Sequence, residues 1–374
     1  LVGDETYLPY QRPPLSKKFL AGEMPAERLY VKPASFYDDA NIDVHLDTRV
    51  DAIDRAAKTI ATTHGQSLSY DTLVLATGSE PRRLTLDGSE LGGIHYLRSI
   101  ADVEAIRSDL GFAKRIVIIG AGYIGLEVAA VTRKLGLDVT VIEMADRVMS
   151  RVVSEQVSAF YQHVHQAHGV RLMLSAGLQK FIGTDRVTAV ETSTGEQVNA
   201  DVVVVGVGIL PSTGLAEAAG LEVDNGIVVN ERCVTSDPSI YAIGDCTVHP
   251  NGIYARPVRL ESVHNALEQA KTAATNICGE DLVYDEVPWF WSDQYDLKLQ
   301  IAGLSEGYDD VVIRGDMAAN AFSCLYLRDG RLIAIDAINS PRDFVQSKAL
   351  IANHTNVLGA PLSDTNIMLK DCRG

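Results

Sequence analysis

Six residues, Gly120-Ala121-Gly122-Tyr123-Ile124-Gly125, follow the apolar run at 115–119 and open a stretch with helical periodicity at 124–134. In that context a GxGxxG pattern is a phosphate cradle. Gly120 permits the tight turn, Gly122 lets the backbone approach a pyrophosphate, and Gly125 allows close packing of helix on strand. The N–H groups of Tyr123 and Ile124 at the helix start then face the anion. The next strand ends in Glu143, about twenty residues on, where a carboxylate accepts hydrogen bonds from a ribose diol and repels a 2′-phosphate. NADH is therefore favoured over NADPH, with Arg147 nearby as the one weak counter-signal. Glu127 is expected in the first turn of this helix, either paired with the positive helix end or engaged in chemistry.

Three further segments do not belong to a single dinucleotide unit. Residues 73–78 form a buried run ending in Ala76-Thr77-Gly78, residues 201–211 form another whose strand ends in glycines, Gly208 among them, and residues 235–246 form a third that delivers Asp245 to its carboxyl end. Ligands of open α/β sheets bind beyond such strand ends.

The elements that must position these groups are legible from period and composition. Strands are expected at 72–76, 115–119, 139–143, 201–205 and 240–243, with helices at 124–134, 154–168 and 262–277. This alternation is that of an α/β protein with parallel sheets. From Trp289 onward the runs KLQIAGL, YDDVVIRG and FSCLYLRDGRLIAIDAI are those of antiparallel strands, and Asp329-Gly330 marks a hairpin. A formal charge of −16 over 374 residues speaks against nucleic-acid binding. No apolar run is long and clean enough for a membrane span. Five cysteines without a CxxC pair give neither a disulfide framework nor a metal site, and fit a reducing, cytoplasmic setting.

Taken with Pro9-Tyr10-Gln11-Arg12-Pro13-Pro14-Leu15-Ser16-Lys17, Arg259–Ala266 and Trp289-Phe290-Trp291-Ser292-Asp293-Gln294, these segments resemble the FAD-dependent ferredoxin reductases of bacterial cytochrome P450 and ring-hydroxylating dioxygenase systems. The resemblance covers essentially the whole chain. It implies two Rossmann-like dinucleotide-binding domains, for FAD and NAD, of glutathione-reductase-like type, plus a C-terminal α+β domain. The corresponding bounds are 1–109 and 209–288 for FAD, 110–208 for NAD and 289–374 for the last domain. It implies hydride transfer from NADH to FAD, then single electrons to a [2Fe-2S] ferredoxin.

On matching residues, the resemblance puts Asp245 on the FAD ribityl chain, Asp4 near its adenosine part, and Lys17 beside the isoalloxazine ring. It makes Val50, Arg98 and Val263 further FAD contacts, Arg12 and Pro14 cofactor-binding residues, Glu261 a nicotinamide-side residue and Trp291 an aromatic near the flavin. Lys17, Glu127 and Trp291 are thus the candidate catalytic residues. The competing readings are a solvated lysine and a core tryptophan.

Disulfide reductases of this fold carry a dithiol in the N-terminal third, whereas no cysteine precedes Cys233 here. Without a thiolate, dithiol exchange has no chemical means, so electrons are expected to leave the flavin directly. A basic docking patch for the ferredoxin is expected among Lys298, Arg314, Arg328, Arg331 and Arg342. The opening Leu1-Val2-Gly3-Asp4 reads as the end of a second strand, so a first FAD-cradling unit of about forty residues is expected to lie outside this sequence. The alternatives are reduction of a quinone or monodehydroascorbate, a redox-signalling flavoprotein, and a module binding NAD alone.

Overall fold

The computed structural model describes residues 1–357 and 359–374. The chain forms two compact units: Leu1–Gln11 with Tyr30–Glu80 and Leu210–Phe290, and Arg12–Leu29 with Pro81–Ile209 and Trp291–Gly374.

The second unit is built on a five-stranded sheet ordered Ile94–Tyr96, Val202–Val205, Arg115–Ile119, Asp138–Ile142, Arg171–Met173. Every neighbouring pair is parallel. Strands in such a sheet are covered on both faces. This is why Val202–Val205 is wholly buried and Arg115–Ile119 is buried except at Arg115. The helix Tyr123–Lys134 contributes Leu126, Val128, Ala129 and Ala130 to the core.

The helix Glu155–Ala167 begins one residue later than its periodicity suggests, because Ser154 is its N-cap and accepts from the Val157 N–H. An antiparallel meander of Leu178–Gly183, Val187–Thr192 and Gln197–Asn199 was not anticipated. Its strands are short and mostly half exposed, so they carry no long apolar run.

The C-terminal sheet is ordered Trp289–Gln294, Leu297–Gly303, Arg331–Ile338, Ala321–Arg328, Asp310–Asp316. Its hairpin closes at Arg328 opposite Arg331, with Asp329 and Gly330 both at positive φ (52° and 73°). That is the geometry of a two-residue turn of the primed type that Asp-Gly favours. The buried Tyr326 hydroxyl donates to Asp336 and accepts from the Ser154 N–H at 2.8 Å, which ties this sheet to the start of the helix Glu155–Ala167.

The first unit pairs Leu73–Leu75 in parallel with Ile240–Ala242, and Val2 bridges His45 in parallel. The strands Val50–Asp54, Thr59–Thr62 and Ser67–Ser69 form a meander. The helix Val263–Ile277 is capped by Ser262, whose hydroxyl accepts from the Asn265 N–H. Among the described residues no helix is long and apolar enough to cross a membrane.

Candidate functional site

The glycine loop in the second unit is shaped by backbone proximity. Gly120 has φ +101°, and a Cβ there would lie 2.3 Å from the Gly206 carbonyl oxygen. A Cβ on Gly125 would lie 2.2 Å from the Gly120 carbonyl oxygen. Neither position can hold a side chain. Gly122 differs: it is exposed, and a Cβ there would meet nothing within 4 Å. The open approach at Gly122, next to the N–H groups of a helix start, suits a pyrophosphate. Tyr123 is half-buried and Ile124 is exposed beside it.

Glu143 is tied to the same loop. Its carboxylate accepts from the Ala121 N–H at 2.7 Å and from the Ala145 N–H at 2.8 Å. A carboxylate offers about four acceptor positions, so capacity remains for ribose hydroxyls. Arg147 turns its guanidinium onto the carbonyls of Ser150, Val153 and Ser154, away from any role as a phosphate clamp. These residues fit a nicotinamide dinucleotide without a 2′-phosphate.

In the same unit, the Lys17 ammonium donates to Glu127 at 2.8 Å and to the Pro13 carbonyl at 3.2 Å. Pro13 and Pro14 pre-set the short 3-10 turn Pro13–Ser16, and the Lys17 N–H closes it on the Pro14 carbonyl at 3.0 Å. Glu127 is 3% exposed and also accepts from the hydroxyls of Ser16 at 2.5 Å and Ser292 at 2.6 Å. Glu127 therefore lies one residue beyond the first turn of its helix, and its partner is an ammonium; pairing with the helix dipole does not describe it. An ammonium has three N–H bonds, two of which are used here. The remaining donor is the kind of group that stabilises negative charge on a reduced isoalloxazine ring, so this couple fits a flavin. Arg12 donates to the Arg98 carbonyl at 2.8 Å, which brings those two candidates together. Gly208 is exposed at φ +110°, and its carbonyl accepts from the Arg82 N–H. Trp291 is half-buried; strand alternation puts it on the face opposite Ser292.

In the first unit, Asp245 follows Gly244 (φ +82°) at the carboxyl end of Ile240–Ala242, and the Ser79 hydroxyl donates to it at 3.0 Å. The Gly244 N–H is held by the buried Gln269 at 2.7 Å. Thr77 donates to the Ser212 carbonyl at 2.6 Å, and the Gly78 carbonyl accepts from the Ser212 N–H at 3.0 Å. Ala76 is exposed at the end of Leu73–Leu75. An acid and a positive-φ glycine turn (Gly78, φ +65°) at the ends of two paired parallel strands suit a polyol chain. Asp4 is exposed in a bend, and Val50 is the half-buried first residue of its strand. Glu261 is paired with Arg259, and Val263 opens the helix Val263–Ile277 with 37% of its surface exposed.

Two expectations change. Arg314 is 3% exposed and ion-paired with Asp343, so it is no part of a docking surface. The exposed candidates separate as well: Lys298 is bonded through its backbone to Asn339 near Arg342, whereas Arg328 and Arg331 flank the hairpin at the other end of Arg331–Ile338. Eight residues of strand put the two groups roughly 25 Å apart. The roles of Ser16 and Ser292 were also missed. Both stand in segments singled out by the sequence, but contacts across 111 and 165 residues leave no trace in spacing.

All five cysteines are free, and four are buried. Burial pushes the thiols of Cys233 and Cys324 up to about 12, which keeps both protonated and inert. Among the described residues no cluster of His, Cys, Asp and Glu could hold a metal.

Residues 1–270 match the family model for pyridine nucleotide-disulphide oxidoreductases, and residues 289–373 match the reductase C-terminal domain. Putidaredoxin reductase of Pseudomonas putida is 44% identical over 377 residues, covering 99% of this chain and 89% of its own. The ferredoxin reductase subunit of the 5,5'-dehydrodivanillate O-demethylase of Sphingobium sp. is 44% identical over 374 residues, with 99% and 91% covered. The chain belongs to the ferredoxin reductases of the pyridine nucleotide-disulphide oxidoreductase family. In structure it superposes on putidaredoxin reductase from its covalent complex with putidaredoxin with a TM-score of 0.96 at 44% identity, covering all of this chain and 91% of that one. The cofactors of these ferredoxin reductases are FAD and a nicotinamide dinucleotide.

Proposed function

We infer that this chain is an NADH:ferredoxin oxidoreductase delivering electrons to a [2Fe-2S] ferredoxin that serves a cytochrome P450 or a ring-hydroxylating dioxygenase. The observation that carries it is the couple of a half-buried Lys17 with a buried Glu127, set in a sequence with no cysteine before Cys233. In this reading residues 110–208 bind NADH, residues 1–109 and 209–288 hold FAD, and residues 289–374 form the C-terminal domain. The protein is placed in the cytoplasm, in keeping with its free thiols.

Each named residue has a definite task. Gly120, Gly122 and Gly125 with the amides of Tyr123 and Ile124 seat the dinucleotide pyrophosphate, and Glu143 takes the ribose diol. Asp245, Thr77, Gly78, Ala76, Asp4, Val50 and Val263 contact FAD from the first unit, with Asp245 on the ribityl hydroxyls. Arg98 is a further FAD contact, and Arg12, Pro14 and Gly208 are further cofactor-binding residues. Lys17 presents positive charge to the isoalloxazine ring, Glu127 fixes where that charge points, Trp291 is an aromatic near the flavin, and Glu261 is a nicotinamide-side residue. FAD, when bound, takes a hydride as an electron pair and gives electrons up singly.

The test uses the full-length yellow holoenzyme. NADH-driven cytochrome c reduction, followed with and without a [2Fe-2S] ferredoxin, should depend strongly on the ferredoxin. Equal rates in both arms would overturn the reading in favour of a small-molecule acceptor. A second expectation concerns cofactor choice. Glu143→Ala should lower the NADH over NADPH preference about tenfold, since one charge-assisted hydrogen-bonding group to the diol is lost. An unchanged ratio of kcat/KM for the two would refute the role given to Glu143.

A further inference from the structure

Behind Glu127 runs a line of buried polar side chains that hydride transfer itself does not require. Ser292 donates to Glu127 at 2.6 Å. The Gln294 amide donates to the Ser292 hydroxyl oxygen at 3.2 Å. His165 Nε2 meets the Gln294 carbonyl oxygen at 2.8 Å, and the Tyr295 hydroxyl meets His165 Nδ1 at 3.2 Å. Tyr295 stacks on the exposed His168 with ring centroids 3.7 Å apart. Ser292, Gln294 and His165 are each 1% exposed or less. Polar groups at that depth are held by their partners or cost stability.

Chemistry fixes the direction of every bond in the line. The Gln294 carbonyl oxygen can only accept, so His165 carries its hydrogen on Nε2. His165 Nδ1 is then an acceptor and Tyr295 is the donor to it. Burial pushes His165 down to about 4, which keeps the ring neutral, and pushes Tyr295 up to about 12, which keeps its hydroxyl protonated. Reversing the Gln294 amide would make Ser292 donate outward and turn a hydroxyl lone pair toward the Glu127 carboxylate. That arrangement is repulsive, so all four donors point inward at one carboxylate oxygen. Hydrogen bonds in a chain polarise one another, and the last member is strengthened.

The other oxygen of Glu127 takes Lys17 and Ser16. The two oxygens therefore compete for the same negative charge. The more of it the inward chain draws onto Oε1, the less Oε2 neutralises the Lys17 ammonium.

We propose that Ser292, Gln294 and His165 are positioning residues which, through Glu127, set how much positive charge Lys17 presents to the flavin. The proposal rests on the reading of Lys17 as a flavin-side residue given above. It assigns to the first strand of the C-terminal sheet and to the helix Glu155–Ala167 a share in tuning the cofactor's redox balance.

The experiment compares Ser292→Ala, Ser292→Thr and Gln294→Leu with the parent and with Lys17→Met, all as purified holoenzymes. Three quantities are read for each: the flavin midpoint potential by dye-coupled equilibrium titration, the rate of flavin reduction by NADH in rapid mixing, and the melting temperature. Ser292→Ala and Gln294→Leu should make the potential more negative and slow flavin reduction about fivefold, the value of one lost hydrogen bond. Ser292→Thr keeps the hydroxyl and should restore both values. A merely structural role would lower the melting temperature of Ser292→Ala and Gln294→Leu and leave potential and rate at the parent values, and that result would overturn the proposal. Lys17→Met separates the two levels of inference. If it shifts potential and rate while the Ser292 and Gln294 variants do not, the relay alone is wrong. If it shifts neither, the placing of Lys17 at the flavin is wrong, and the relay falls with it.

Discussion

Replacing Arg314 by methionine is expected to destabilise the C-terminal domain by about 3–5 kcal/mol, the cost of leaving a buried charge without its partner. The guanidinium is 3% exposed and every part of its fork is engaged. Nε donates to Asp343 at 3.0 Å, Nη1 to the carbonyls of Leu362 and Asp364 at 3.1 and 2.6 Å, and Nη2 to the carbonyl of Ile367 at 2.6 Å. One side chain thus fastens the segment around 362–367 to the strand Asp310–Asp316. Methionine would strand Asp343, which would keep the Ser323 hydroxyl at 3.1 Å but lose its counter-charge, and would orphan three carbonyls. Lysine should recover only part of the loss, because a point charge cannot replace a planar fork. Removing the acid as well, in Arg314→Met with Asp343→Leu, should be milder than the single change, since no lone charge is then buried. Chemical denaturation followed through Trp289 and Trp291 measures all three, as the two tryptophans of the chain stand on the first strand of this sheet. A loss under 1 kcal/mol for Arg314→Met would show that the clamp is not a source of stability.

Arg314 also marks where reading the sequence reaches its limit. As a lone arginine in the run YDDVVIRG it reads as surface charge, the usual fate of arginine. Its burial depends on Asp343 and on carbonyls about 50 residues further along. The parts of the fold that were legible are those fixed by local chemistry. The glycine loop is one, because the strand Arg115–Ile119, the turn and the helix Tyr123–Lys134 are contiguous, and the carbonyl that demands Gly125 is that of Gly120 in the same turn. The Asp329-Gly330 hairpin is another, because two residues at positive φ suffice to specify it. The meander at 178–199 was missed because its strands are short and polar on one side. At the site, the type of each residue was visible, while the partnership was not. Glu127 read equally well as a helix-end acid, and only the fold puts Lys17, Ser16 and Ser292 around it.

That partnership sets the second large effect. Lys17→Met should slow flavin reduction by NADH about 100-fold, the scale on which one preorganised charge-stabilising donor acts. It should also lower stability, because Glu127 is 3% exposed and would keep two hydroxyl donors but lose its counter-charge. The two consequences can be pulled apart with a second substitution. Glu127→Gln added to Lys17→Met removes the stranded carboxylate, and the amide oxygen can still accept from Ser16 or Ser292. Stability should then return most of the way to the parent, while flavin reduction stays slow because no ammonium faces the ring. Such non-additivity is expected of residues in direct contact, and a double-mutant cycle isolates it. Rapid-mixing kinetics and denaturation on the same four proteins supply the numbers. If the double variant recovered its rate along with its stability, then the deficit of Lys17→Met would have come from a disturbed fold, and the charge of Lys17 would have no part in the chemistry. If rate and stability separate as described, the ammonium acts on the electrons and the carboxylate acts on the ammonium.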